Sequence, residues 1–76
     1  MPRYYFHIED NGYARDEDGY ELVDTAAACR EAMLFAGELL RDGGKDGTLE
    51  RLWRLCVTDS AGSTVFALSI AAGGPV

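Results

Sequence analysis

His7 is the only histidine in the 76 residues, and an imidazole is the side chain best suited to general base work or metal ligation near neutral pH. One imidazole is not enough for a His-His-carboxylate metal site or for a base helped by a second ring, so both are excluded within one protomer. On an alternating strand it reads as a surface or interface residue. The acidic run Asp16-Glu17-Asp18-Gly19 invites comparison with a calcium loop, which spaces carboxylates two residues apart ahead of a glycine. Aligned that way, Ala14 takes the first ligand position and Thr25 the bidentate twelfth, so both critical carboxylates are missing. The run is expected to be a solvated acidic turn. Cys56 has Arg54 two residues before it on the same strand face, and a guanidinium favours a thiolate. With no histidine placed beside it by the sequence, Cys56 reads as a small packed residue. Gly43-Gly44 follows a helical stretch, the wrong order for a glycine loop cradling phosphate ahead of a helix. No Gly-x-Ser-x-Gly elbow or Cys-His nucleophile pattern occurs. The expectation is a protein without catalytic, cofactor-binding or metal-ligating residues, hence no cofactor and no enzymatic activity.

The elements that must position these residues follow from periodicity. From Arg3 to Glu9, Tyr4, Phe6 and Ile8 alternate with Arg3, Tyr5, His7 and Glu9, the period-2 pattern of a half-buried strand. Asp10-Asn11-Gly12 predicts a tight turn into a second strand near Tyr13, which Arg15-Asp16-Glu17-Asp18-Gly19 should leave short, bent and at an edge. Asp24 or Thr25 predicts a helix N-cap, with a helix from about Thr25 to Arg41. At 100° per residue, Cys29, Ala32, Met33, Ala36, Leu39 and Leu40 form the stripe expected to face the sheet, with Leu34 roughly opposite. Gly43 to Gly47 should stop the helix and form a loop. Leu52 to Thr58 alternates again, Asp59-Ser60-Ala61-Gly62 makes a hairpin turn, and Val65 to Ile70 returns with Phe66, Leu68 and Ile70 inward and Val65, Ala67 and Ser69 outward.

The predicted fold class is therefore α+β: a four-stranded antiparallel sheet with one helix on one face, in β-β-α-β-β order. It should form a single domain over residues 1–76, with 1–2 and 71–76 frayed. The composition is 47% hydrophobic and 26% charged, within the range of folded chains. A net charge of −6, from 13 acidic against 7 basic residues, disfavours nucleic acid and anionic membrane as partners. No apolar run approaches the roughly 18 residues of a membrane span, and Met1-Pro2-Arg3-Tyr4 enters strand-like sequence with no apolar signal core, which predicts a cytoplasmic protein. The two cysteines, Cys29 and Cys56, fall on opposite sides of the sheet and are expected to stay free. A domain this small often draws stability from a second subunit.

One helix about 10–12 Å wide cannot cover four strands spaced at about 4.8 Å. The expected interaction surface on the uncovered face comprises Tyr5, His7, Leu52, Arg54, Cys56 and Val65, with Tyr5 and Arg54 as anchors of a homodimer that uses this face or an edge strand.

Several strings of residues carry a family resemblance over nearly the whole chain. They are Met1-Pro2-Arg3-Tyr4-Tyr5-Phe6-His7-Ile8, then Asp16-Glu17-x-Gly19-x-Glu21-Leu22-x-Asp24 leading to Ala28-x-x-Glu31-Ala32, and Trp53-x-Leu55-x-Val57-x-Asp59-x-x-Gly62. Together they resemble a family of small bacterial proteins of rhizobial type, a domain of unknown function, which implies a fold and no activity. The first half is also similar, more weakly, to HicB-like antitoxin domains, which would imply a protein partner of toxin type. The expected function is thus a non-enzymatic protein-interaction or regulatory module; the alternative is an antitoxin-type inhibitor of a small ribonuclease toxin.

Overall fold

The computed structural model describes residues 1–9, 13–46 and 51–72. Its elements are β1 (Arg3–Glu9), β2 (Tyr13–Ala14), β3 (Tyr20–Glu21), α1 (Thr25–Asp46), β4 (Arg51–Thr58) and β5 (Thr64–Ala72). The class is α+β with one helix and an antiparallel sheet, but the sheet has five strands rather than four, in the chain order β-β-β-α-β-β. In space the order is β2-β1-β4-β5, with β3 pairing the other end of β1. The predicted second strand is split in two. β2 pairs Ile8 and Glu9 with Ala14 and Tyr13, while β3 pairs Arg3 and Tyr4 with Glu21 and Tyr20. The predicted turn at Asp10-Asn11-Gly12 lies outside the described residues.

The alternation read from β1 and β4 fixes the two faces. Phe6 pairs with Val57 and Ile8 with Leu55, then Val57 with Phe66, Leu55 with Leu68 and Trp53 with Ile70, so one face collects the large apolar side chains. Tyr4, Phe6, Leu55 and Val57 form the buried cluster with Ala28 and Ala32 of the helix. Complete burial of Leu55 and Val57 contributes about 1.5–3 kcal/mol each. Trp53 is buried in the same layer, and its indole Nε1 has no hydrogen-bond partner among the described residues.

The helix begins where Asp24 caps it: Asp24 Oδ1 accepts the Ala27 amide at 2.8 Å, and the Asp24 carbonyl accepts the Ala28 amide. Thr25, the other cap candidate, meets the Tyr4 hydroxyl at 3.1 Å instead and ties the helix start to β1. The helix runs past the predicted end at Arg41 to Asp46, through Gly43 and Gly44. Each of these glycines costs about 1 kcal/mol relative to alanine in a helix, yet the helix spans both. The buried stripe is also rotated from the predicted one. Ala28, Ala32 and Ala36 are buried with Phe35 and Leu39 beside them, whereas Met33 (58% exposed) and Leu40 (43% exposed), both expected inward, point to solvent. Centred on the alanines, the stripe sits roughly 45° from its predicted axis at 100° per residue. Small side chains let the helix backbone approach the strands, and that close approach outweighs the larger area Met33 and Leu40 would bury. Leu34 is exposed, away from the buried stripe.

The second hairpin is closed by Asp59. Its carbonyl accepts the Gly62 amide at 3.0 Å, and its Oδ1 accepts the Ala61 and Ser63 amides. Gly62 takes φ +86°, the left-handed conformation that glycine adopts without a Cβ penalty. A bulge follows, because Thr58 pairs with Thr64 while Val57 pairs with Phe66, leaving Val65 between. β5 continues to Ala72, and Ala71 pairs with Leu52, so residues 71 and 72 are strand rather than frayed end. The Pro2 carbonyl is likewise held, accepting the Leu22 amide at 3.0 Å. No described helix is long and apolar enough to cross a membrane.

Candidate interaction surfaces

The split of the second strand centres on Asp16. Between β2 and β3 the chain leaves the edge of β1, and the Asp16 carboxylate takes the place of the missing strand. Its Oδ2 accepts the Phe6 amide of β1 at 3.1 Å, while Oδ1 accepts the Asp18 and Gly19 amides, each at 3.1 Å. Burial acts most strongly on this carboxyl and would raise its pKa, but the Gly19, Phe6 and Asp18 amides that donate to it outweigh burial and hold the group below its ordinary 3.8. Gly19 completes the turn with φ +71°. A Cβ there would lie 2.8 Å from the Tyr4 carbonyl oxygen and 2.9 Å from the Tyr5 ring, so only glycine fits. Arg3 reaches over the turn to the Asp18 carbonyl at 2.7 Å and the Glu21 carboxylate at 3.2 Å. The acidic run expected as a solvated turn is therefore an ordered plug in the sheet edge, with its first carboxylate turned inward.

His7 is tied to the same plug. The Asp16 amide donates to His7 Nδ1 at 3.0 Å, which requires that nitrogen to be unprotonated, so the neutral ring carries its hydrogen on Nε2 and donates to Thr58 Oγ1 at 3.1 Å. The residue is only 7% exposed, not the surface histidine expected from the alternation. Tyr5 and Tyr13 lie on either side, with ring centroids 6.5 and 6.0 Å from the imidazole and planes 4° and 25° from it. This aromatic row shields the ring although the helix is on the other side of the sheet.

Of the residues expected on the uncovered face, Tyr5, His7, Arg54 and Cys56 do share it. Cys56 pairs directly across from His7, and Arg54 across from Glu9. Leu52 has the same strand parity, paired with Ala71, but its side chain lies outside the described residues. Val65 does not belong there: the bulge turns it to the helix side, where it packs against the buried cluster. The cross-strand pairing also brings together a cysteine and a histidine that sequence spacing left apart. Yet both imidazole nitrogens are engaged, and the Cys56 Sγ lies 3.5 Å from Thr64 Oγ1. No ring nitrogen is left to take the thiol proton, and Cys29 and Cys56 are both unpaired.

Sequence reasoning missed two further features. On the helix side, α1 lies across β4 and β5 and leaves β1 partly bare, opening a groove of about 670 Å³ between the helix and the β2/β3 edge. At the ends of the sheet, the two edges differ in kind. One consists of two-residue strands separated by the charged plug, while the other is β5, nine residues without charge or proline. The alternation showed which residues share a face, but not which strand would lie outermost.

No curated protein and no solved structure gives a significant match to this chain. Residues 3–71 match the family described as Domain of unknown function (DUF6894). With that match covering β1 through β5, the chain belongs to the DUF6894 family.

Proposed function

We propose that this chain is a non-enzymatic interaction module that works as a homodimer, joined edge to edge along β5. The observation that carries the reading is the contrast between the two sheet edges. An edge strand presents unpaired amides and carbonyls, and proteins that remain single copies blunt it with charge, proline, bulges or very short strands. The β2/β3 edge has the first and last of these devices, with Arg15 to Asp18 placed between two-residue strands. β5 has only a bulge at its start; Phe66 to Ala72 carries no charge and no proline. On its open side Ala67, Ser69 and Ala71 are small and exposed, so a second β5 can approach antiparallel without a clash.

The chemistry of the remaining candidates supports a binding role over catalysis. His7 and Asp16, the groups best suited to proton transfer, hold the sheet edge with their polar atoms engaged. Sedimentation velocity tests the proposal. The wild type should sediment at twice the 8.3 kDa chain mass at micromolar concentration. Ala67→Lys/Ser69→Lys, which places like charges across an antiparallel β5 pair, should sediment as single chains with an unchanged far-ultraviolet circular dichroism spectrum. A wild type that remains a single chain at roughly 100 μM, a concentration generous for a stable interface, would reject it.

A further inference from the structure

The groove beside α1 lies at the opposite edge of the sheet from β5 and asks for a different occupant. Its floor and walls are apolar: Phe6 and Ile8 of β1, Leu22, and Leu34 and Phe35 of the helix. Leu34 is 65% exposed and the neighbouring Tyr20 is 62% exposed, so the apolar wall is open to contact. The volume of about 670 Å³ falls within the roughly 300–1,000 Å³ of sites that enclose a ligand or several side chains. The rim has a definite sign. Among the described residues, Glu31 and Glu38 of α1, Glu21 of β3 and Asp16 stand around it against one lining cation, Arg15.

Two of those carboxylates are occupied, Asp16 by backbone amides and Glu21 by Arg3. Glu31 and Glu38 are exposed and form no salt bridge among the described residues. Seven residues apart on the helix, they are about 10.5 Å from one another along its axis, with Leu34 and Phe35 between them. The wall thus reads acid, apolar, apolar, acid. Its complement is a segment with apolar side chains on one face, at helical spacing, and lysine or arginine on both flanks. A second copy of this chain is a poor occupant, because its net charge of −6 opposes the rim.

We infer that this groove docks a basic amphipathic segment of a protein partner, with the partner's apolar side chains on Phe6, Ile8 and Phe35 and its cations beside Glu31 and Glu38. The inference rests on the interaction-module reading but not on the β5 dimer, and the Ala67→Lys/Ser69→Lys chain should dock the same segment.

The test is a nuclear magnetic resonance titration of the isotope-labelled full chain with three synthetic peptides. The first has leucine on one helical face and lysine on the flanks, the second replaces each lysine by glutamate, and the third has the first composition with leucines scattered. The lysine peptide should shift the amides of β1, β3 and residues 31–38, while the other two bind at least tenfold more weakly. Glu31→Lys/Glu38→Lys should weaken the lysine peptide by about tenfold, as expected for reversing two exposed charge contacts. Leu34→Asp should abolish binding, with circular dichroism confirming that both variants are folded. The inference is overturned if no peptide shifts these amides, if the lysine and glutamate peptides bind equally, if the shifts fall on β5 or the Tyr5 face, or if dilution alone shifts the groove amides.

Discussion

Removal of the Asp16 carboxylate should cost more than any other single change of a non-glycine surface-adjacent residue, although the segment around it looks like an ordinary acidic turn. In Asp16→Ala the Phe6 amide loses its acceptor in a gap where no strand can replace it. A part-buried amide left unpaired costs about 1–3 kcal/mol. The Asp18 and Gly19 amides also lose Oδ1, and even with water as a replacement each bond is worth about 0.5–1.5 kcal/mol. The sum is about 2–6 kcal/mol, set against a total of roughly 4–11 kcal/mol for a chain of this length. Asp16→Asn retains one oxygen but turns an amide donor toward one of the backbone donors, so it should cost less than alanine but still more than about 1 kcal/mol.

The pH dependence supplies an independent reading of the same bonds. Because the folded carboxyl titrates below its ordinary 3.8, its stabilisation is fully present above that value and is lost as pH falls through the folded pKa. The wild-type advantage over Asp16→Asn should therefore hold from pH 7 to about pH 4 and shrink below it. Urea unfolding followed by Trp53 fluorescence measures both quantities. A cost below about 0.5 kcal/mol for Asp16→Ala, the range of ordinary surface changes, or a wild-type advantage unchanged down to pH 2, would refute the reasoning.

Three other outcomes follow from the geometry. Gly19→Ala must place a Cβ 2.8 Å from a backbone oxygen at φ +71°, so it should lower the thermal midpoint by about 10 °C or more, from about 2–4 kcal/mol of strain. Met33→Gln should change stability by less than about 0.5 kcal/mol, whereas Ala32→Val, on the fully buried turn of the helix, should cost about 1–3 kcal/mol; the opposite ranking in chemical denaturation would restore the stripe read from sequence. Nitrogen-15 spectra of the His7 ring near pH 8 should report the Nε2–H tautomer, and the Nδ1–H form would contradict the bond from the Asp16 amide.

The face assignments were legible in the sequence because period-2 alternation is strong in β1 and β4, and paired residues such as Phe6 with Val57 must share a side. The cap at Asp24 and the turn at Asp59 were legible for the same local reason: short polar side chains bond amides within four residues of themselves. What the sequence hid was decided by contacts distant along the chain. The axis of the helix stripe depends on how closely alanines can approach strands that come later, and no helical wheel weighs that approach against the area of Met33. The role of Asp16 depends on an amide ten residues earlier; the disruptive run from Arg15 to Gly19 flagged the place but not the bond. His7 looked like a surface residue because its burial comes from Tyr5, Tyr13 and the Asp16 turn rather than from the helix. Val65 moved to the other face because it is itself the extra residue of the bulge and so falls outside the alternation of its strand.

The central claim, that β5 is a self-pairing edge, is tested most directly by amide hydrogen exchange along Val65 to Ala71. In a lone edge strand, only the amides turned toward β4 are protected, and alternate ones exchange at nearly the rate of an open chain. The homodimer predicts protection of consecutive amides through Phe66 to Ala71, lost on dilution and lost in Ala67→Lys/Ser69→Lys. An alternating pattern that is the same at every concentration and in both chains would contradict it.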